Sequence, residues 1–583
     1  MSDTAARRRV PWHALGLILA VCVLAGAVVW VSVRALMLKS EVDAIEALTS
    51  QLSTAVADRD LDGLAGVNNQ LAEHTAHAVA LSSDPLWTTA EWMPLVGPNL
   101  AAVRVAVEAS DTLSTQVVAP ILRTAAALPD ADGAALATAV AAGGPLDRAA
   151  AALHGAAHRL TAISTDDLLY PVASGVTQLT DVVSAADTIL GPLASSAQVL
   201  PALLGTDSAQ TILVMVQNPA ELRTGGGITG TFVQLRAADG KLTMQKMLDS
   251  TAFGYRRSPI LPVSKELTTL YGDVVGRFVQ DASIPADFST TSALASAWWT
   301  GQGGARPDAV VSIDPLVLQS LLRVTGSVNL ADGSELSADN LVQRVLVDSY
   351  MTMTPEQQSV FFAQATAAVF TRLFDAGLSP VQWAQALAQP IQDGRVSVWS
   401  ADPATQKAVQ TGPLGGPAVR QDLAGDNAYA VYFNDNTGGK MATYMKTAIT
   451  TAQGSCRADG KHTVEVAVSL TSTTPKDASA FPTSMTGGGI WGVGIGDIGM
   501  NVTVAAPAGA FFEGVRIDGT LASSANVSAE GHPTSIAHVN LQPGETNVLA
   551  FRFVVGDEHD DVHIVHTPML TDPTVATGTL RCG

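Results

Sequence analysis

The first forty residues contain one long hydrophobic run between charged segments. No residue from Ala14 to Val33 carries a formal charge, and these twenty residues would form a helix of about 30 Å, the thickness of a bilayer core. The flanking residues are of the types found on the cytoplasmic side and at membrane interfaces: Arg7, Arg8, Arg9, Trp12 and Trp30. The pattern predicts a single-pass signal anchor over residues 14–34, with residues 1–13 as a cytoplasmic tail and the bulk of the chain extracellular.

A cleaved signal peptide is the alternative interpretation of this segment. Ala25-Gly26-Ala27 has the small residues that a signal peptidase requires. The apolar run continues beyond them through Val28–Val31, which a cleaved peptide does not need, so the uncleaved anchor is favoured. Both interpretations place the rest of the chain outside the cytoplasm.

Residues 38–204 have the pattern of an all-α helical bundle or stalk. Apolar residues recur at helical spacing from Val42 to Val56, and further helical stretches run near 59–82, 99–127, 132–164 and 174–204. Prolines and glycines separate these stretches, as is typical of helix ends. The breaks favour antiparallel helices over one continuous coiled coil.

The pattern changes near residue 205 and predicts a central layered α/β domain over residues 205–450. Thr211–Gln217 is a continuous β-prone run, as expected for a strand that is buried on both faces. A second run, Ile228–Leu235, follows a glycine-rich loop, and later helical and strand patterns alternate.

Residues 455–583 alternate with a period of two and predict an immunoglobulin-like β-sandwich. Cys22 falls within the hydrophobic run, which leaves Cys456 and Cys582 in the exported part. Because exported thiols are usually oxidised in pairs, we expect a disulfide that closes this domain. The whole chain is therefore a multidomain α+β protein.

The charge balance excludes one large class of function. The chain of 583 residues has a formal net charge of −20, and this charge is spread along the sequence. Nucleic-acid binding requires clustered lysine and arginine, so no nucleic-acid partner is expected.

The central loop carries a family resemblance. The stretch from Val216 to Gly227, VQNPAELRTGGG, resembles the motif of the domain-of-unknown-function 4012 family, whose members are membrane-anchored proteins common in actinobacteria. Further matching segments place this resemblance over most of residues 80–583: Ile284-Pro285, Asp287-Phe288, Pro307–Asp314, Ser337–Asn340, Tyr432–Asp435 and Lys440. The family name implies no activity.

The order of strands and loops is also remotely similar to that of LytR-CpsA-Psr phosphotransferases, which move glycans from polyprenyl pyrophosphate carriers to the cell wall. This resemblance implies that Arg223, Arg256, Arg257 and Arg344 hold a pyrophosphate. It further implies a metal-binding role for Asp249, with Mg²⁺ as cofactor only if the protein is such an enzyme. The chain lacks the Pro-Arg-Asp signature of those enzymes and has Tyr255–Pro259 in roughly its place.

The residues around Arg223 suggest an anion site on chemical grounds. Gly225, Gly226 and Gly227 let backbone N–H groups approach an oxyanion, and a guanidinium grips phosphate with two hydrogen bonds. The alternative is that the glycines form a tight turn between strands and that Glu221 pairs locally with Arg223.

Two functions remain open at this level. The favoured hypothesis is a non-catalytic factor of the cell envelope that binds or assembles glycan or partner proteins. The alternative is a phosphotransferase that acts on polyprenyl-pyrophosphate-linked glycans. Both expect the cytoplasmic membrane, cell-wall or lipid-linked glycan and other envelope proteins as partners.

Overall fold

The computed structural model describes residues 12–58, 61–94, 96–126, 134–206, 208–378, 380–455, 457–556 and 562–580. The chain divides into two compact units. The first comprises Met1–Pro129 and Ala141–Ala194, and the second comprises Asp130–Val140 and Ser195–Gly583.

The first unit is helical, as the periodicity of residues 38–204 predicts. Leu153, Leu160 and Val183 are buried at the centre of one of its apolar clusters. A π-helical segment, Leu113–Val118, joins two of its helices without a break. The helices up to the start of the first strand are α1 Trp12–Asp58, α2 Leu61–Ser82, α3 Pro85–Ala90, α4 Gly97–Thr112, α5 Ala119–Ala126, α6 Ala134–Thr161 and α7 Tyr170–Leu203.

The predicted transmembrane anchor at 14–34 falls within α1. In the described part of the chain, no helix combines the length and the apolar character needed to cross a membrane. The side chains of residues 12–25 lie outside that part. The structure therefore does not support the anchor, which stays a prediction from the sequence.

The second unit begins with a mixed five-stranded sheet in the order β3-β2-β1-β4-β7. Strand β1 runs parallel to β4 and antiparallel to β2. A two-stranded hairpin, β5-β6, lies outside this sheet. The bounds of these strands are β1 Gln210–Asn218, β2 Ile228–Ala238, β3 Lys241–Asp249, β4 Ala309–Ile313, β5 Val328–Asn329, β6 Glu335–Leu336 and β7 Ser397–Ser400.

Helices cover both faces of this sheet, which explains the unbroken apolar run in β1. Leu213 and Met215 pack with Trp298 and Trp299 on one face, while Ile212 and Val214 pack with apolar side chains that include Phe370 on the other. A π-helical segment, Arg344–Asp348, lies between α12 and α13. The helices of the unit are α8 Lys265–Tyr271, α9 Val274–Arg277, α10 Phe288–Gly301, α11 Pro315–Thr325, α12 Leu341–Gln343, α13 Ser349–Thr352, α14 Pro355–Asp375, α15 Pro380–Gln392, α16 Pro403–Gln410, α17 Pro417–Leu423 and α18 Thr483–Thr486.

Two further sheets share one large apolar core near the C-terminal end of the chain, in the orders β13-β12-β16-β10-β9-β18 and β14-β15-β11-β8-β17. The bounds are β8 Ala428–Asp435, β9 Met445–Gly454, β10 His462–Ser472, β11 Ile498–Ala505, β12 Phe511–Ile517, β13 Thr520–Ala522, β14 Ala525–Ala529, β15 His532–Leu541, β16 Thr546–Val555, β17 His563–His566 and β18 Thr574–Thr577. The immunoglobulin-like classification of this part stays a prediction.

The structure corrects the predicted domain boundary between residues 450 and 455. Strand β8, which we assigned to the α/β domain, pairs with β11 and β17 of the sandwich, and β9 pairs with β10. The two sheets therefore recruit residues from 428 onward. The α/β part and the sandwich also form one compact unit rather than two.

The predicted disulfide cannot be placed in this fold. Cys456 and Cys582 both lie outside the described residues.

Candidate functional site

The sequence QNPAELRTGGG forms the loop that joins β1 to β2. Asn218 begins the turn by accepting a hydrogen bond from the Ala220 N–H on its side-chain oxygen, at 3.0 Å. Residue 227 must be glycine because a Cβ there would overlap the carbonyl oxygen of Asn218. The Ile228 N–H then donates to the Glu221 carbonyl, at 3.0 Å, and starts the second strand.

Each of the three nitrogens of the Arg223 guanidinium contacts protein acceptors. Nε and Nη2 both contact Oδ1 of Asp281, at 2.9 and 2.8 Å, and Nη2 also contacts Oε1 of Glu221 at 3.3 Å. Nη1 donates to the carbonyl oxygens of Leu222 and Asp435, at 2.8 and 3.2 Å. Burial alone would lower the pKa of Arg223, but the charges of Asp281 and Glu221 outweigh it and raise the pKa.

A second cation reaches the same cluster from the sandwich. Lys440 Nζ lies 2.5 Å from Oε2 of Glu221 and 5.1 Å from the ring centre of Tyr350. The Tyr350 hydroxyl accepts a hydrogen bond from Asn218 Nδ2 at 2.7 Å. Burial would raise the pKa of Glu221, but Lys440 and Arg223 outweigh it and hold this pKa below its ordinary value.

The end of β8 is bonded directly to the loop. Asn434 Oδ1 accepts from the Thr224 N–H at 3.0 Å, and the Asp435 N–H donates to the Leu222 carbonyl at 2.9 Å. The structure thus brings together two segments that carry the family resemblance, QNPAELRTGGG and the stretch from Tyr432 to Lys440. With Asp281, they form a buried polar cluster, which we call the loop–β8 network: Glu221, Arg223, Asp281, Asn434, Asp435 and Lys440.

A cavity of about 850 Å³ borders this network. One part of its lining is polar and includes Gln217, Asn218, Asp249 and Asp435. Helical side chains form an apolar part: Leu318, Leu341, Val345, Leu346, Phe362 and Val369. A ligand in this cavity would meet hydrogen-bonding groups and an apolar surface at the same time.

Two buried polar atoms that belong to cavity-lining residues have no hydrogen-bond partner among the described residues: Oδ2 of Asp435 and Nε2 of Gln217. The other oxygen of Asp435 accepts from the N–H groups of Thr437 and Gly438, at 2.8 and 2.9 Å. Buried polar groups are nearly always paired, so these two atoms are exceptions, and both belong to residues of the cavity wall.

Asp435 is the titratable group of this pair. Burial and the nearby charge of Glu221 raise the pKa of Asp435 to about 7, against the opposing effect of Arg223. With Asp435 protonated, the charges of Arg223 and Lys440 balance those of Glu221 and Asp281. The loop–β8 network then carries no net charge.

Aromatic side chains lie at the open edge of the cavity. Trp491 is 53% exposed and lines the cavity together with Phe278. The two rings meet edge to face with centroids 6.2 Å apart, and the exposed Tyr255 stacks on Phe278 at 6.2 Å. Trp491 also packs on Gly438, where any Cβ would overlap its indole ring. We call these three side chains the aromatic edge.

The structure does not bring the predicted anion-binding residues together. Of the four arginines, only Arg223 lines the cavity. Arg256 and Arg257 are exposed in the segment after β3. Arg344 donates to the Glu335 carbonyl and the Ser334 hydroxyl, both at 3.0 Å, and so supports the β5-β6 hairpin.

The predicted oxyanion loop is likewise occupied by protein. The N–H groups of Gly225, Gly226 and Gly227 donate to Ser283 O, Arg223 O and Gln217 Oε1, at 3.1, 2.8 and 3.1 Å. With Arg223 saturated as well, the geometry favours the alternative interpretation of a tight turn with a local ion pair. This geometry gives no support to the phosphate site predicted at Arg223, which stays a prediction.

Asp249 lines the cavity, but its carboxylate caps the turn that follows β3 by accepting from the Thr251 N–H at 2.8 Å. Within the described ranges, no group of three or more histidine, cysteine, aspartate or glutamate side chains is arranged to hold a metal ion. The geometry around Asp249 thus gives no support to the metal-binding role that the phosphotransferase resemblance implies.

Fold and site together define a mixed α/β protein with a ligand-sized cavity beside a saturated ion-pair network. The family model described as "Protein of unknown function (DUF4012)" matches residues 207–350. This match confirms the resemblance to that family for the segment that contains QNPAELRTGGG, which is less of the chain than we expected. No curated protein and no solved structure matches the chain.

Sequence reasoning missed most of the network's members. The sequence places Lys440 and Gln217 only within segments that carry the family resemblance, and it predicts no role for Asp281. The available signal was that the family resemblance includes both the stretch from Val216 to Gly227 and the stretch from Tyr432 to Lys440. Charged residues that occur in two distant motifs of one family are candidates for a common site.

Proposed function

We propose that this protein is a membrane-anchored, extracytoplasmic factor of the cell envelope that binds glycan without catalysis. Its binding site is the cavity between the loop–β8 network and the apolar side chains of α11, α12 and α14. The observation that carries the proposal is the pair of unpartnered buried atoms, Asp435 Oδ2 and Gln217 Nε2, that belong to residues lining this cavity.

The chemistry of the cavity fits a hydroxyl-rich ligand better than a phosphate. The amide of Gln217 is a donor, and a protonated Asp435 can both donate and accept, which suits sugar hydroxyls. A phosphate needs cations that are free to pair with it, whereas Arg223 and Lys440 already pair with Glu221 and Asp281.

The aromatic edge supports the same ligand class. Exposed aromatic faces offer a flat apolar surface beside polar groups, and the apolar face of a sugar ring packs on such a surface. Trp491 packs on Gly438 and edge to face against Phe278, and such packing reduces the conformational freedom that is lost when a ring stacks on it.

The anchor remains part of the proposal. The uncharged run from Ala14 to Val33, after three arginines, supports a signal anchor with the N-terminus in the cytoplasm. This orientation would expose the cavity to cell-wall glycan or to the sugar part of a lipid-linked glycan.

The test measures binding of the full-length protein in detergent to soluble wall glycan released by muramidase. We expect Trp491→Ala and Gln217→Leu each to weaken binding about fivefold to tenfold, because each removes a contact that contributes about 1 kcal/mol to the binding free energy. Ile490→Ala is the matched control, because Ile490 is exposed on the same loop and is not part of the cavity lining.

Two outcomes would contradict the proposal. In the first, the protein does not bind wall glycan. In the second, Trp491→Ala and Gln217→Leu both bind it as tightly as the wild type and the Ile490→Ala control. A parallel assay with polyprenyl pyrophosphate addresses the phosphotransferase alternative. Tight binding that Arg223→Lys abolishes, together with glycan transfer, would replace the proposed function with that activity.

A further inference from the structure

The first unit has a cluster of exposed apolar side chains that the proposed glycan site does not involve. Trp92 is 89% exposed, and its neighbours in the α3–α4 segment, Leu86, Met93 and Val96, are exposed as well. Leu169 and Tyr170 belong to the same end of the unit, because the Leu169 N–H donates to Asn99 Oδ1 at 2.7 Å near the start of α4. We call these six side chains the apolar tip.

The apolar tip is held by ordered structure. Trp87 is buried between Leu38, Ala78 and Leu100, and its indole N–H donates to the Leu100 carbonyl at 3.2 Å. The Gly97 N–H donates to the Met93 carbonyl at 2.8 Å and closes the turn. The exposure of Trp92 is therefore a fixed feature of the fold.

The tip lies beside the C-terminal end of the uncharged run of α1. Arg34, the first charged residue after that run, donates to the carbonyl oxygens of Ala80 and Leu81, at 2.9 and 3.1 Å, and lies 3.4 Å from Asp84. Val31, Ala35 and Leu38 belong to the same apolar cluster as Trp87 and Ala90. The segment with Trp92 therefore begins at the level of α1 where the proposed anchor would leave the bilayer.

The charges around the tip agree with this position. Glu91 is the only charged residue of the segment 85–98, and both of its carboxylate oxygens bond to Arg104, at 2.7 and 3.1 Å. Tryptophan and tyrosine are the residues that membrane interfaces favour, and Trp30, Trp92 and Tyr170 supply three of them. The exposed Asp166 and Asp167 indicate that attraction to anionic lipids is not what holds the tip.

We propose that the apolar tip is a lipid-docking surface that inserts Trp92 and its neighbours into the outer interface of the membrane. The inference rests on the proposed anchor and goes beyond the proposed glycan site. Docking would fix the helical unit against the bilayer by a second contact besides the anchor. A single span alone would leave the unit free to tilt.

The test places a photo-crosslinking benzoylphenylalanine in the full-length chain, reconstituted in vesicles of phosphatidylcholine and phosphatidylglycerol. One variant has it at position 92 and the matched control has it at Gln116. Gln116 is also exposed, but it lies roughly 28 Å further along the continuous α4–π–α5 helix. We expect lipid adducts to form several-fold more at position 92 than at position 116.

Extraction with alkaline carbonate, run on the same samples, separates the failure of this inference from failure of the anchor. A chain that resists extraction but forms equal or no lipid adducts at the two positions keeps the anchor and overturns the docking surface. Adducts to a second copy of the chain at position 92 also overturn it and identify a protein interface. A chain that carbonate releases from the vesicles removes the anchor and the docking surface together.

Discussion

Lys440 and Glu221 are 219 positions apart in the chain and 2.5 Å apart in the fold. Burial of charges requires such pairing, because an isolated charge in the interior is strongly disfavoured. The pairing of Arg223 and Lys440 with Glu221 and Asp281 therefore docks the β1–β2 loop on β8 with a defined register. Among the described side chains, Asp435 is then the acidic member of the network that forms no ion pair.

The pKa of Asp435 gives a prediction about stability. Its carboxyl group has a raised pKa of about 7 in the folded protein, so folded chains keep a proton that unfolded chains release near pH 4. This group's contribution is fully present below the unfolded pKa and is lost as the pH rises through about 7. Asp435→Asn removes the titration and keeps the oxygen that accepts from Thr437 and Gly438.

We expect the melting temperature of the wild type, relative to that of Asp435→Asn, to fall as the pH rises from 5 to 8. Thermal unfolding of both full-length proteins in the same buffers measures this difference. Glu221 and Asp281 are present in both proteins, so their own titrations largely cancel. A difference in melting temperature that stays constant from pH 5 to 8 would contradict a raised pKa for Asp435.

At the scale of single elements, the β1–β2 loop shows what sequence reasoning could and could not predict. The β-prone runs of β1 and β2 and the turn between them were predicted, because periodicity and glycine content are local signals. The local pairing of Glu221 with Arg223 was among the interpretations, but the distant partners were not, since Asp281 and Asp435 approach Arg223 through the tertiary fold. No spacing in the sequence encodes those contacts.

Strand β8 shows the same limit for domain boundaries. Its apolar pattern identified a strand, but a pattern does not reveal which sheet a strand joins. Its eight residues, Ala428–Asp435, are all buried, and they pair with strands from much later in the chain. The boundary was therefore misplaced although the strand itself was predicted.

Gly227 offers a prediction at this scale. A Cβ at position 227 would overlap the Asn218 carbonyl oxygen, so Gly227→Ala must distort the loop that presents Arg223. We expect a loss of about 1–3 kcal/mol in the free energy of unfolding, as for other overpacked sites. Urea unfolding of the full-length chain, followed by tryptophan fluorescence, measures it.

Gly230→Ala is the matched control for this substitution. Gly230 lies on β2, and a Cβ there would come no closer than 3.8 Å to the Val216 carbonyl oxygen, which is an ordinary contact. We expect this variant to unfold within about 1 kcal/mol of the wild type, the usual penalty of a mild strand substitution. Equal destabilisation by both variants would show that the loop tolerates a side chain at position 227.

At the scale of the whole molecule, the last strand of the sandwich, β18, lies beside one of its first strands, β9. Strand β18 pairs in parallel with β9, with Thr577 beside Thr451, and Leu580 lies within 3.6 Å of where a Cβ on Gly454 would be. In the sequence, Cys456 follows Gly454 by two residues, and Cys582 follows Leu580 by two residues. The predicted disulfide thus connects two segments that the described parts of the chain bring side by side.

This arrangement predicts a disulfide that stabilises the sandwich by closing a long loop. A bridge between these cysteines encloses about 127 residues, and chain entropy assigns such a loop roughly 4–5 kcal/mol. We expect a Cys456–Cys582 peptide pair in non-reducing digests of the full-length protein. Cys456→Ser and Cys582→Ser should lower the melting temperature equally, and the double variant should lower it no further, because either single change already removes the bond. Additive losses from the two single changes, or free thiols at both positions, would show that the cysteines act separately and that the parallel pairing of β9 and β18 alone holds the end of the chain.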